Sequence, residues 1–326
     1  MIITRTPLRV SFVGGGTDLA SYYRHHGGGS VVSAAIDRYV YVLVNEKFDD
    51  DIRVSYSRAA EYVSSVDAVQ HPAVREAMRM TGVKGSVEIV TVSDIPAEGT
   101  GLGSSSAFAV GILNALWAFQ GELRGAKELA EAACELEIDR LHETSGKQDQ
   151  YAAAFGGLHQ YEFREDDSVG VHALPLSREE REHFSQHFSL FYTGTTRSAN
   201  TILSEQARRT DENLEAYRRM RELSDETRKA ILARDFPKVG ALMDEGWNLK
   251  KGLSRGITNP TLDSMYASAK GAGAWGAKVT GAGGGGFLLV AAPPEKSLQV
   301  EHALSGHRHL PVHISTEGSR IIFVGR

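Results

Sequence analysis

Apolar residues gather into short β-branched or aromatic runs early in the chain and into helix-spaced sets later. Arg9-Val-Ser-Phe-Val13, Tyr39-Val-Tyr-Val-Leu-Val44 and Val87-Glu-Ile-Val-Thr-Val92 carry the side chains that suit a pleated, half-buried surface, and each predicts a strand. The first runs into Gly14-Gly15-Gly16. The third is followed by a Gly/Ser turn, then by Ala107 to Phe119, apolar enough for a buried helix. Leu129 to Leu141 reads as an amphipathic helix stopping near Gly146. Further on, Ser189-Leu-Phe-Tyr-Thr193 and Phe287-Leu-Leu-Val-Ala291 predict strands, and Thr261 to Lys270 a helix. The mostly polar stretch from about Ser198 to Arg234 predicts one or two surface helices. Val312 to Ser315 and Arg320 to Val324 are further strand candidates.

Pro175 and the charged run Arg178-Glu-Glu-Arg-Glu182 interrupt this pattern. At 326 residues two lobes are expected, 1–180 and 181–326. With 41% hydrophobic and 24% charged residues there is ample material for a core. A net charge of -5 argues against a general nucleic-acid binder, which needs a basic face, but leaves small phosphorylated ligands open. The lone cysteine, Cys134, lies in the apolar set Leu129, Ala133, Leu136, so it reads as a buried small residue in a reducing compartment. The N-terminus lacks the apolar core of a signal peptide, and no apolar run reaches the ~18–20 residues of a membrane span. A cytoplasmic protein without membrane partners is expected; a homo-oligomer is left open.

The chemistry concentrates at glycine-rich stations. Pro96-Ala-Glu-Gly99-Thr-Gly101-Leu102-Gly103-Ser104-Ser105-Ser106-Ala107 lies between a strand and a buried helix. Glycines let the backbone approach a ligand, and the helix offers free N–H groups and its positive dipole end to an anion. The serines add hydroxyls, so the segment suits a polyphosphate with magnesium. It is not a Walker A loop, because no Gly-Lys-Ser/Thr follows.

Lys278-Val-Thr-Gly281-Ala-Gly283-Gly284-Gly285-Gly286-Phe287 contains Gly-x-Gly-x-x-Gly. A dinucleotide fingerprint must follow a strand and open a helix. Here a helix is expected before it and a strand after, so it reads as a loop packed against another loop or a ligand. Arg9 and Asp18 flank the third station, Gly14-Gly15-Gly16-Thr17, and spacing alone does not separate a small charged site from a surface ion pair. Asp149, in Ser145-Gly-Lys-Gln-Asp-Gln150, either caps the next segment or serves phosphoryl transfer, which wants a carboxylate facing the acceptor hydroxyl.

Together, in this order, these stations resemble the galactokinase, homoserine kinase, mevalonate kinase and phosphomevalonate kinase superfamily (GHMP kinases), over essentially the whole chain. Gly99 to Ser106 resembles its phosphate-binding motif and Lys278 to Phe287 its C-terminal glycine loop. Arg5-Thr-Pro-Leu-Arg9 with Gly14 to Asp18, and Gly146 to Gln150, are similar to the heptose and fucose kinase branch. Galactokinases carry Gly-Glu-His-Thr-Asp where this chain has Gly15-Gly-Thr-Asp18, which counts against galactose.

The resemblance implies an α+β, two-lobed fold: an N-terminal lobe like ribosomal protein S5 domain 2 and a ferredoxin-like C-terminal lobe, with ATP between them. It implies an ATP- and Mg²⁺-dependent sugar kinase. The expected acceptor is the anomeric hydroxyl of D-glycero-D-manno-heptose 7-phosphate, feeding nucleotide-activated heptose synthesis. An L-fucose or other sugar 1-kinase, and a non-catalytic sugar and ATP sensor, stay open.

By that resemblance Gly99, Gly101, Leu102, Gly103, Ser104, Ser105 and Ser106 bind ATP. Ser105 and Glu137, twelve residues before Asp149, hold magnesium; Glu135 is the alternative, and a solvated helix carboxylate fits either. Asp149 and Arg9 are catalytic. Gly15, Gly16, Thr17, Asp18, Gly283 and Gly284 face the acceptor. Arg197 is the candidate for the 7-phosphate, although a surface arginine fits the sequence equally.

Overall fold

The computed structural model describes residues 1–56, 59–96, 99–196 and 199–325. The N-terminal half is built on β1 (Ile2–Val13), β2 (Gly29–Glu46), β3 (Ile52–Tyr56), β4 (Ala59–Val63), β5 (Val87–Ser93), β6 (Leu158–Phe163) and β7 (Val169–Ala173). Its helices are α1 (Ala20–Tyr23), α2 (Pro72–Thr81), α3 (Ser104–Phe119), α4 (Ala126–Cys134) and α5 (Gln148–Phe155). The rest contains α6 (Arg178–Ser185), β8 (Phe188–Tyr192), α7 (Ala199–Arg208), α8 (Leu214–Leu232), α9 (Phe236–Lys250) and α10 (Pro260–Gly271). It ends with β9 (Gly276–Val279), β10 (Phe287–Ala291), α11 (Ser297–Ala303), β11 (His309–Pro311) and β12 (Arg320–Val324).

The first sheet runs β12-β1-β2-β5-β3-β4, with β6 and β7 branching from β2. β2 is long enough to serve two neighbours: residues 29–34 pair with β6 and residues 40–46 with β5. Its partner β1 shifts register between Pro7 and Leu8, where proline has no N–H to give the ladder. The second sheet, β11-β8-β10-β9, is antiparallel throughout. The expected α+β architecture in two lobes is what the chain adopts.

Several elements differ from expectation. The stretch after Ser198 does form two helices, α7 and α8, but α8 is no surface helix. Tyr217, Met220, Leu223 and Ile231 are buried, spaced by three, three and eight residues along one face. Charged residues between them mask that stripe in the sequence. Together with α9, which carries no strong local signal, α8 supplies both hydrophobic cores: Leu223, Val239 and Leu242 to the larger, Tyr217, Met220 and Trp247 to the smaller. Full burial of such side chains is worth about 1.5–3 kcal/mol each, enough to hold the lobes as one body.

The predicted 129–141 helix splits into α4 and a π-helical segment, Glu135–Arg140. A strand, not a helix, leads into the 281–286 loop, which therefore joins β9 to β10 in a hairpin. Residues 312–315 form a single bridge, Ile36 to Ile314. The last strand pairs with β1, so the chain finishes in the first sheet. Cys134 is buried, as expected. No helix among the described residues is long and apolar enough to cross a membrane.

Candidate active site

A cleft of about 510 Å³ opens where α3, α5, α7 and the β9–β10 loop meet the ends of β1 and α9. Its centre is an ion pair. From β1, Arg9 donates Nε and Nη2 to the two carboxylate oxygens of Asp149, at 2.6 and 2.5 Å, and Nη1 to the Gly101 carbonyl at 2.6 Å. Arg9 is 5% exposed, while the Asp149 side chain is 20% exposed, so the carboxylate is fixed from behind and open in front. A two-pronged guanidinium sets direction as well as charge. Because burying an ion pair is costly, its value here is positional more than stabilising.

Gly103 is the N-cap of α3 at φ +76, a left-handed conformation that glycine tolerates best, and a Cβ there would lie 3.2 Å from Arg9 Cγ. No side chain caps this helix, so its first N–H groups face a ligand or water. Ser104, Ser105 and Ser106 line the cleft beside them.

Glu137 lies against the same turn. Its Oε1 accepts the Ser105 hydroxyl at 2.7 Å, and Oε2 accepts the Ser106 hydroxyl at 2.7 Å and the Gln150 amide at 2.6 Å. At 2% exposure, burial pushes its carboxyl up to about 7 against those hydrogen bonds. The π-helical segment carries Glu137 inward, while Glu135 points out and pairs with Arg140 at 2.8 Å. Of the two candidates, Glu137 is the one beside Ser105. A hydroxyl and a carboxylate are hard oxygen donors, and so few protein ligands suit an ion that takes its remaining oxygens from phosphate and water. Among the described residues no cluster of three His, Cys, Asp or Glu forms a dedicated metal cage.

At the other end, Asp18 is 3% exposed; it accepts the Gly16 N–H at 2.9 Å and the Gln148 amide at 3.1 Å. Burial, reinforced by Asp149, raises its pKa. Gly146 must lack a side chain here, since a Cβ would fall 1.9 Å from Asp18 Oδ2.

The glycine loop closes the cleft from the second lobe. A Cβ on Gly281 would meet Gly101 Cα at 2.6 Å, one on Gly286 would meet the Thr100 carbonyl at 2.3 Å, and Thr280 Oγ1 donates to that carbonyl at 3.2 Å. The two glycine stations pack backbone to backbone. Gly16 and Gly283 line the cleft, as do Gly99, Gly101 and Gly103.

Four expected contacts lie behind it instead. The Leu102 side chain is in the core, its carbonyl accepting the Arg9 N–H at 2.9 Å. Thr17 is wholly buried and spends its hydroxyl on the Gly14 and Ser30 carbonyls. Gly15 packs against Gln148 and Ser11, and the Gly284 N–H donates to the Ile257 carbonyl. Arg197 falls outside the described residues; Thr196 and Asn200, on either side, line the cleft.

Two buried lysines were not anticipated as site residues. Lys278 donates to the Ser11 and Phe12 carbonyls at 2.7 and 3.3 Å, tying β9 to β1. Lys250, the last residue of α9, lines the cleft at 5% exposure and donates to the Gly281 carbonyl at 2.6 Å. Burial, partly offset by Asp18, pulls its ammonium down to about 8.

The model of the GHMP kinases N terminal domain matches residues 64–157, spanning the phosphate loop through Asp149, and that of the GHMP kinases C terminal matches residues 227–308. The chain belongs to the GHMP kinase family and is a phosphotransferase acting on an alcohol group. It is 30% identical to D-glycero-alpha-D-manno-heptose 7-phosphate kinase of Campylobacter jejuni, over 93% of each chain. It is 27% identical to the L-fucokinase/L-fucose-1-P guanylyltransferase of Bacteroides fragilis, over 92% of this chain and 36% of that longer protein. The structure of a D-glycero-D-manno-heptose 1-phosphate kinase from Bacteroides thetaiotaomicron superposes with a TM-score of 0.83 at 26% identity, covering all of both chains.

Proposed function

We propose that this sugar kinase of the GHMP family transfers the γ-phosphoryl group of ATP to the anomeric hydroxyl of D-glycero-D-manno-heptose 7-phosphate, giving the 1,7-bisphosphate. What carries the reading is one juxtaposition: the Arg9–Asp149 pair sits at the mouth of an uncapped α3, with Ser105 and Glu137 beside it. The free N–H groups of α3 and the 99–103 turn hold the polyphosphate. Ser105 and Glu137 are the residues that would hold Mg²⁺, which would supply charge neutralisation for the phosphates. Asp149 orients the acceptor hydroxyl and takes its proton as the new O–P bond forms and the bond to the ADP oxygen breaks. Arg9 fixes Asp149 and offsets charge on the transferring group. Asp18 accepts acceptor hydroxyls, and the Gly281–Gly286 loop keeps water from the phosphoryl group.

The 7-phosphate rests on likeness to the Campylobacter kinase and on Arg197, whose neighbours line the cleft. Arg197→Ala is expected to raise KM for the phosphorylated heptose and leave KM for ATP unchanged; an unaltered heptose KM removes Arg197 from the site. The likeness to the fucokinase protein supports a second reading, a free-sugar 1-kinase. ADP release across D-glycero-D-manno-heptose 7-phosphate, mannose 6-phosphate, L-fucose, galactose and mevalonate separates the two. Turnover confined to the heptose phosphate supports the first, and turnover on an unphosphorylated sugar discards it. ATP binding with no sugar-stimulated ADP points to a sensor.

A further inference from the structure

Three buried cations stand at this cleft: Arg9 and Lys250 line it, and Lys278 lies behind it. Arg9 is committed to Asp149 and Gly101. Lys278 gives its protons to the Ser11 and Phe12 carbonyls, and Ser11 Oγ lies 3.4 Å away. Lys250 makes one hydrogen bond, to Gly281. An ammonium has three donors, and burying one with donors unused is unfavourable unless something else takes them. Because Lys250 lines the cleft, those donors are offered to whatever occupies it.

Their position is defined by Gly15. A Cβ on Gly15 would lie 3.8 Å from Lys250 Nζ and 3.6 Å from Gln148 Nε2, the amide that donates to Asp18 Oδ2 at 3.1 Å. Asp18 is also the strongest charged neighbour of Lys250, ahead of Arg9 and Asp149; Lys278 faces it from β9. A buried donor and a buried acceptor thus flank the same end of the cleft. A hydroxyl can accept and donate at once, so it satisfies both; a hydrogen or methyl group satisfies neither.

We infer that Lys250 acts with Asp18 to read one hydroxyl of the sugar acceptor, its remaining bond to Gly281 holding the glycine loop over that sugar. This rests on the acceptor being a sugar, and it adds a specificity-determining residue from the second lobe.

The test compares wild type, Lys250→Met and Lys250→Arg on the sugar that sustains turnover and on its monodeoxy analogues, with ATP-analogue binding measured alongside. Wild type is expected to lose about 10- to 100-fold in kcat/KM on one deoxy analogue, the scale of a hydrogen bond to a charged group. Lys250→Met is expected to fall by a similar factor on the parent sugar yet no longer distinguish it from that analogue, with ATP-analogue binding retained. Lys250→Arg should recover part of the discrimination. The inference is overturned if Lys250→Met keeps the wild-type preference, or slows all analogues equally. Should the methionine variant not fold, Lys250→Gln answers the same question, since its neutral amide should weaken the discrimination. The readings fail separately: turnover on another sugar refutes the heptose phosphate alone, a deoxy preference that Lys250→Met leaves intact refutes Lys250 alone, and turnover on mevalonate alone refutes both.

Discussion

Asp149 is held by two charged hydrogen bonds from Arg9 on one side and open to the cleft on the other, which is how a carboxylate is aimed at a substrate proton. Asp149→Asn keeps the shape and removes the proposed base. Turnover should fall by roughly 10²–10⁴-fold with ATP-analogue binding intact; near-full activity would make the carboxylate structural. Glu137→Gln should raise the Mg²⁺ concentration needed for half-maximal turnover, measured by metal titration at saturating ATP; an unchanged requirement would take Glu137 out of the metal site. Lys250 gives a pH-dependent effect on stability. Its folded value, about 8, is below its ordinary 10.5. Below pH 8 both folded and unfolded chains carry the proton and the fold bears the cost of a buried ammonium. Between about 8 and 10.5 only the unfolded chain keeps it, so stability rises with pH. The burial cost that Lys250→Met removes is on the order of 3 kcal/mol at pH 7 and fades towards pH 10.5, so the variant's stability relative to wild type should fall as pH rises across that range, on top of a constant loss from the unpaired Gly281 carbonyl. A uniform loss across that range would contradict the burial cost. Arg9, Asp18 and Asp149 could be singled out in the sequence because Arg9 and Asp18 flank Gly14-Gly15-Gly16 and Asp149 closely follows Gly146. Lys250 could not: with Lys251 beside it at the end of a helix, it reads as a solvated charge complementing the helix dipole.

Among the elements, the two glycine loops depend on each other. Gly281 is at φ +64 with Gly101 Cα where its Cβ would go, and Gly101 is at φ +72 with the Thr280 carbonyl 2.5 Å from its own. Gly281→Ala should push the loops apart, raising KM for ATP, lowering kcat and destabilising by about 1–3 kcal/mol. A variant with wild-type kinetics would mean that loop contact does not shape the nucleotide site. Both loops were legible, the first because serine and glycine at a strand–helix junction have few other uses, the second because its run of glycines suits close packing against another loop. The hairpin around the second was not, because Gly276–Val279 is a four-residue strand that merges with the end of the preceding helical pattern. The π-helical segment is likewise invisible locally: Glu135 and Glu137 look alike until one extra residue in the turn sends Glu137 inward and leaves Glu135 with Arg140.

Across the molecule, α8 and α9 fill both cores, and the chain returns to its start through β12. Ser319, just before that strand, lies 2.8 Å from the Thr6 hydroxyl and accepts from Asn114 at 3.0 Å, tying the end of the chain to β1 and α3. Deleting residues 319–326 should lower the melting temperature, since it strips β1 of an edge partner and leaves buried polar groups unpaired at about 1–3 kcal/mol each. An unchanged melt would make the return ornamental. Two lobes and their chemistry could be read from motif order, but which lobe the last strand joins could not, because a short β-branched run is equally at home on any sheet edge. The decisive observation is the product made from D-glycero-D-manno-heptose 7-phosphate, ATP and Mg²⁺, followed by phosphorus and proton NMR. Transfer at the anomeric hydroxyl should give a second phosphorus signal coupled to the anomeric proton, absent with Asp149→Asn. A phosphate on any other carbon, or none, would contradict the reaction proposed for this cleft.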